Sequence, residues 1–431
     1  MTTVQPPTRP RRDPADTPRT PFSVVDEITR HCLDPHEPET VHIEVHLPGA
    51  PDPDRLRTAF VEALRRHPRI LMREASGPWY RRRYEWELTP HPDTADVVTF
   101  PAPGPDALPR ARARALAEAP ALSLAPPIRL EAIGNVLVLV VNHTALDGPA
   151  CLRILATAAE LYGGRDNSPA TAAAPPRPDA HPQNPTPTPG WAPVARVAAG
   201  SAHGRGNGLL VADLPVPRRP RGAPYTVNDQ LLVATARMIA DWNREHGAPP
   251  RPLRITMPVD DRSRGMDMPI GNGTRLVEVP YNDAELQEST HTLLLRTADR
   301  TRALKALSRP QLGHGAALLT APVVPVTVRA ALTRGLRRAA APWTSTTLLS
   351  NIGRVPYPLD FGDGAGRATA VWFSAPARMP RGLTVTTAST NGRLHLALRW
   401  STALLGAQDG EHLRDLFEKH LDSTAETGGS V

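Results

Sequence analysis

The residues best placed to do chemistry are His143, Asp147 and Gly148, within Asn142-His143-Thr144-Ala145-Leu146-Asp147-Gly148. A neutral imidazole accepts a proton near pH 7 without large tuning, so a histidine held at the mouth of a rigid element suits general-base work. A histidine in that position also serves as an ordinary structural residue, and His-x-x-x-Asp-Gly is short enough to arise by chance. Two rival chemistries find little support. A zinc site needs further His, Cys or carboxylate ligands at helical or loop spacing, and no convincing set lies nearby. A serine hydrolase of the nucleophile-elbow type needs Gly-x-Ser-x-Gly, which is absent from the sequence. Cys151 sits close by, but it reads as a small apolar residue on a buried helix rather than a nucleophile.

The element that must position His143 is the run Val136 to Val141, apolar at every position and so expected to be a strand buried on both faces. A helix from Pro149 to Tyr162 follows at once. Upstream, His42 to Leu47 alternates like a half-buried strand. Asp52 and Pro53 then offer the cap and first residue of a helix whose apolar face is Leu56, Ala59, Phe60, Ala63 and Leu64. Further strands are expected over Ile70–Ala75, Trp79–Leu88 and Ile128–Ala132, with a helix over Leu108–Ala117. In the second half Leu209–Leu214 reads as a strand. Thr226 with Asp229 forms a capping-box pattern ahead of a long helix. Strands are expected over Leu253–Met257, Thr274–Val279, Thr346–Leu349, Ala368–Phe373, Leu383–Thr387 and Leu394–Trp400. Helices are expected over Leu286–Leu307, Pro325–Ala339 and Glu411–Leu421.

This pattern gives an α/β chain in two lobes. Residues 21–165 form the lobe that carries the histidine, 166–206 a Pro-rich linker and 207–425 the second lobe. Residues 1–20, rich in Pro, Arg, Asp and Thr, read as a disordered leader without the apolar stretch of a secretory signal. No apolar run approaches a membrane span. Two cysteines are too few for a disulfide framework, which points to a reducing cytoplasm. The net charge is +7, and aromatics make up only 4% of the chain. Few aromatics lie near basic runs, which argues against nucleic-acid binding. Base composition accounts for much of the arginine. The remainder suits CoA phosphates or an acidic carrier protein.

Beyond the motif, a series of segments resembles the acyltransferase superfamily of chloramphenicol acetyltransferase, peptide-synthetase condensation domains, polyketide-associated acyltransferases and wax ester synthases. In family order these are Phe22 to Asp26, Asp54 to Pro68, Leu122 to Leu124 with Pro127 to Leu130, Thr226 to Asp229, Met257 to Arg262, Gly271 to Gly273 and Leu349 to Arg354. The resemblance implies a two-lobed chloramphenicol-acetyltransferase-like fold with an inter-lobe tunnel and His143 at its midpoint. It implies that His143 deprotonates an amine or hydroxyl attacking a thioester, with the Gly148 N–H as a candidate oxyanion donor. Asp147 would turn away from substrate to pair with Arg262, and Asn142 and Asn351 would support the site. Asn142 replaces the first of two histidines usual in condensation domains. Asp360 to Gly364 resembles a structural Asp-Phe-Gly-Trp-Gly stretch of plant acyltransferases, with Asp363 in place of Trp; an ordinary Gly-rich turn is the alternative. No metal or tightly bound cofactor is implied, only a phosphopantetheine- or CoA-linked acyl donor. An acyl or peptidyl carrier protein and a small amine or alcohol are the implied partners. Cyclisation, epimerisation or dehydration of a carrier-bound chain, or non-catalytic carrier binding, are the competing readings.

Overall fold

In a computed structural model, described for residues 18–89, 93–123, 126–165, 193–202, 204–265, 267–307 and 314–426, each half of the chain contributes helices and strands in alternation. The first half forms β1 (Arg19–Pro21), α1 (Val24–His31), β2 (Thr40–His46), α2 (Pro53–Arg66), β3 (Met72–Glu74), β4 (Glu85–Leu88), β5 (Val98–Thr99), α3 (Ala107–Ala117), β6 (Ile128–Ile133), β7 (Val136–Asn142) and α4 (Gly148–Tyr162). The second forms β8 (Asn207–Pro215), α5 (Val227–Glu245), β9 (Leu253–Asp260), β10 (Thr274–Tyr281), α6 (Asp283–Leu286), α7 (Thr290–Ala306), α8 (His314–Leu319), α9 (Val326–Ala339), β11 (Thr347–Arg354), β12 (Ala370–Ser374), β13 (Leu383–Thr390), β14 (Arg393–Ser401) and α10 (Ala407–Glu426).

Local chemistry accounts for the helix starts. The Asp52 side chain accepts the Arg55 N–H at 2.8 Å with Pro53 as the first helical residue, and the five apolar positions of α2 are all buried. Thr226 and Asp229 cap α5 reciprocally. Two main sheets organise the chain. The first runs β12-β2-β7-β6-β5 and the second β10-β9-β11-β13-β14-β8. Strand β7 is buried along its whole length. Its Leu137, Leu139 and Val141 join the core with α2 and α4, while Val136, Val138 and Val140 pack against Ala107, Ala111 and Ala115 of α3. Covering both faces is what a continuous apolar strand requires.

Several expectations change. Trp79 to Leu88 is a strand only over Glu85–Leu88, and Trp79 and Tyr80 sit exposed on a turn. The helix expected over Leu286–Leu307 starts later, at Thr290 behind the Ser289 cap, and a separate short helix capped by Asn282 precedes it. Helix α1 was not expected, because its buried residues are Asp26, Glu27 and His31 rather than an apolar stripe. Arg19–Pro21 pairs with β4, so the last residues of the expected leader are part of a small sheet. Strand β12 pairs with β2, so a segment of the second half completes the first lobe's sheet. The apolar run Ala370 to Phe373 marks a strand but carries no information about which sheet it joins. Of the expected linker, residues 166–192 fall outside the described residues, whereas Val194, Ala195 and Val197 are buried and Ala195 donates to the Pro252 carbonyl at 2.9 Å.

Polar contacts hold the lobes together. Arg399 of β14 is fully buried and donates to the Thr40 carbonyl and hydroxyl at 2.9 Å and to the Pro38 carbonyl at 3.1 Å. Arg329 of α9 meets Glu27 of α1 at 2.7 Å. Asp26 receives Arg69, Trp86 and, from the second half, Asn272. Among the described residues no helix is long and apolar enough to cross a membrane.

Candidate active site

Strand β7 ends at Asn142 and the chain turns into α4 over five residues. The turn is pinned from within. The Asn142 side chain accepts the Thr144 N–H at 3.1 Å and donates to the Pro120 carbonyl at 3.0 Å, and the His143 N–H donates to the Glu39 carbonyl at 2.8 Å. The His143 ring is therefore carried on a fixed backbone. Its Nδ1 lies 2.9 Å from the Leu146 carbonyl. A carbonyl only accepts, so Nδ1 bears the proton and the neutral ring keeps its lone pair on Nε2.

Asp147 caps α4, its Oδ1 accepting the Ala150 N–H at 3.1 Å. Its Oδ2 accepts Arg262 Nη2 at 2.7 Å and the Gly273 N–H at 2.8 Å. Arg262 in turn spends every donor. Nε and Nη2 grip Asp260 at 2.8 and 3.0 Å, and Nη1 serves the carbonyls of Pro269 and Gly271, both at 3.1 Å. Burial opposes the charge on Arg262, but the Asp260 and Asp147 carboxylates outweigh it and hold the guanidinium above its ordinary value. A side chain at position 273 would place its Cβ 2.5 Å from Arg262 Nε, so only glycine leaves room for this packing. Asp260 and Gly273 are partners that sequence reasoning leaves without a role; the available signal was their place in the two segments on either side of Arg262.

His143, Asp147 and Gly148 line a cavity of about 580 Å3 between the lobes. Val25 and Val41 line it from the first half, Pro258 and Asn351 from the second. Asn351 sits at a bulge in β11, where its side chain accepts the Gly353 N–H at 2.8 Å and the Thr387 hydroxyl at 3.1 Å. Gly148 is the first residue of α4, and its N–H has no acceptor among the described residues. A Cβ there would lie 4.0 Å from Ile352 Cδ1 and Phe373 Cδ2, so glycine relieves no clash but keeps cavity volume open. A second cavity of about 780 Å3, lined by Asn142, Glu74 and Arg81 among others, lies in the first lobe, and Glu39 lines both. Consecutive residues of the motif thus face different cavities.

Other candidates fall away from this space. Cys151 is buried in the core, and burial pushes its thiol well up. Asp360 to Gly364 forms a turn with Gly362 and Gly364 at φ +73° and +86°, and Phe361 packs edge-on against Tyr162 in the core. Among the described residues no group of three or more His, Cys, Asp or Glu is placed to hold a metal ion.

No protein-family model matches the chain. An uncharacterised protein of Mycobacterium tuberculosis, Rv2305, is 29% identical over 384 residues, covering 79% of this chain and 84% of that protein. Among solved structures, trichothecene 15-O-acetyltransferase of Fusarium sporotrichioides covers 98% of this chain and 100% of its own at 12% identity, with a TM-score of 0.64. The first condensation domain of the CDA synthetase covers 95% of this chain and 96% of its own at 16% identity and a TM-score of 0.62. The wax ester synthase/diacylglycerol acyltransferase of Marinobacter aquaeolei VT8 covers 95% of this chain and 100% of its own at 16% identity and 0.58. The chain therefore shares the α/β fold of these condensation domains and acyltransferases.

Proposed function

We propose that the protein transfers an acyl group from a pantetheine-linked thioester to an amine or hydroxyl, forming an amide or ester. The observation that carries this reading is the His143 ring. With Nδ1 committed to the Leu146 carbonyl, the lone pair sits on Nε2, on a ring that lines the inter-lobe cavity beside the uncommitted Gly148 N–H. Nε2 takes the proton of the acceptor as its nitrogen or oxygen bonds to the thioester carbon. The carbonyl oxygen gains negative charge and accepts from the Gly148 N–H at the positive end of α4. The C–S bond then breaks, and the proton on Nε2 goes to the leaving thiolate. Asp147 and Arg262 transfer no proton; they fix the loop that holds both groups. Asn142 and Asn351 hold the strand ends on either side. The cavities on the two sides of the motif, meeting at Glu39, favour donor and acceptor entering from opposite directions, as a tunnel would allow.

We assign the donor to an acyl or peptidyl carrier protein, on the strength of the +7 net charge and the lack of a Gly-rich phosphate loop. The setting is natural-product biosynthesis in the cytoplasm, where the free thiols Cys32 and Cys151 would persist. The test is product mass. The purified chain is offered acyl-carrier and acyl-CoA donors with amine and alcohol acceptors. The reading requires products equal to acyl plus acceptor, with release of thiol. A carrier-bound product of unchanged or water-depleted mass, with no acceptor joined, would instead establish epimerisation, cyclisation or dehydration.

A further inference from the structure

One end of the inter-lobe cavity is lined by three arginines that only the fold brings together: Arg337 from α9, and Arg378 and Arg381 from the segment between β12 and β13. Their hydrogen bonds go largely to neutral groups. Arg381 donates to Ser345 Oγ from Nε at 3.2 Å and from Nη2 at 2.9 Å, and to Thr256 Oγ1 at 3.3 Å. Arg337 donates to the Met379 carbonyl at 2.9 Å. Arg378 donates to the Cys32 carbonyl at 2.9 Å and alone of the three meets a carboxylate, Glu39, at 2.5 Å. Only Arg378 pairs directly with a carboxylate; Glu278, which also acts on Arg381, is already paired with Arg254 at 3.0 Å, and Arg381 Nη1 has no acceptor among the described residues. Leu336, which lines the same cavity beside Arg337, is exposed, so the cavity opens to solvent next to the cluster, whose three arginines are themselves half-buried.

Like charges gathered in a partly dry site repel one another unless a counter-ion joins them. Burial, then Arg378 and Arg337, bring Arg381 down to about 10, and burial followed by Arg378 lowers Arg337. A planar or tetrahedral oxyanion is the ligand that guanidinium forks match, through paired charge-assisted hydrogen bonds. We propose that Arg337, Arg378 and Arg381 form a subsite for an oxyanion, a carboxylate or a phosphate, carried by a substrate whose reacting end lies at His143. The assignment of that substrate rests on the acyl-transfer reading; the existence of the subsite does not.

Calorimetry on the full chain at low salt tests it with three probes: pantetheine, 4′-phosphopantetheine and succinate. The first two differ only by the phosphate, and the third offers carboxylates alone. Variants are Arg337→Gln and Arg381→Gln. The second loses contacts to Ser345 and Thr256 and is at risk of misfolding, so Arg337→Gln, on a helix with an exposed side, keeps the test decisive. If the anion belongs to the donor arm, 4′-phosphopantetheine binds about tenfold tighter than pantetheine, and Arg337→Gln erases the difference. If it belongs to the acceptor or the acyl group, succinate binds the natural protein, Arg337→Gln weakens it about tenfold, and the phosphate adds nothing. Affinities indifferent to Arg337→Gln, or no anion binding at all, overturn the proposal. His143→Ala should bind the same anion normally. Arginine-dependent binding without any acyl product would sink the acyl-transfer reading and leave the subsite standing.

Discussion

Arg262→Ala should destabilise the protein more than Asp147→Ala, although the two residues are partners in one ion pair. Asp147→Ala removes the cap on Ala150, the acceptor for Gly273 and one bond to Arg262. Arg262 is not orphaned, because Asp260 still grips it through two bonds. A lost cap costs about 1 kcal/mol, and a lost charge-assisted bond costs about 1.5–3 kcal/mol. We expect about 3 kcal/mol for Asp147→Ala. Arg262→Ala instead strips the cation from between two carboxylates whose side chains are only 3% and 4% exposed. It also leaves the Pro269 and Gly271 carbonyls without this donor. Breaking a buried pair this way costs about 3–5 kcal/mol, and we expect the upper end. Asp147→Asn, which retains a good capping residue, should fall between the natural protein and Asp147→Ala. In the double variant the repulsion between Asp147 and Asp260 is gone, so its cost should be less than the sum of the single ones by about 1 kcal/mol or more. Urea denaturation followed by circular dichroism measures all four. An Asp147→Ala loss equal to or larger than that of Arg262→Ala, or strict additivity, would refute the reasoning.

Acid should loosen the fold by forcing protons onto buried histidines. Burial holds His42 and His67 at about 4, below the ordinary value of 6.5, so the unfolded chain binds protons that the native chain does not. Stability then falls as pH drops from about 6.5 toward 4, by up to about 3 kcal/mol per histidine. His42→Gln should flatten that slope in pH-dependent urea melts; an unchanged slope would contradict the assignment. Cys151, buried with its thiol pushed up, should resist iodoacetamide in the native state and react at the rate of unfolding, whereas rapid native labelling would place it on an accessible surface. Arg399→Leu should weaken the seam between the lobes, since its carbonyl and hydroxyl partners at Pro38 and Thr40 lose their donors. A drop in melting temperature is expected, and an unchanged melt would show the seam to be held elsewhere.

Where local chemistry dictates structure, the sequence was readable. Asp52 with Pro53 and Thr226 with Asp229 mark helix starts, and the unbroken apolar run of β7 announces a strand covered on both sides. Helix α1 was not readable, because the partners that make its buried Asp26 and Glu27 tolerable, Arg69, Trp86 and Arg329, lie far along the chain. The crossing of β12 into the first lobe's sheet was hidden for the same reason: the apolar run Ala370 to Phe373 would suit a strand of either sheet. At the site, His143, Asp147 and Gly148 are contiguous and therefore visible. The arginines at the cavity rim come from segments on either side of β11 and β12, and nothing local links Arg337 to Arg378 and Arg381.

The central claim is that His143 Nε2 is the base. The measurement that tests it most directly is single-turnover product formation by His143→Ala, with the melting temperature of the same preparation recorded beside it. The account predicts a melt close to that of the natural protein, because the ring makes one hydrogen bond, to the Leu146 carbonyl of its own loop. It predicts a rate lower by about 10²-fold or more. A well-folded variant that forms product at a near-natural rate would contradict the account.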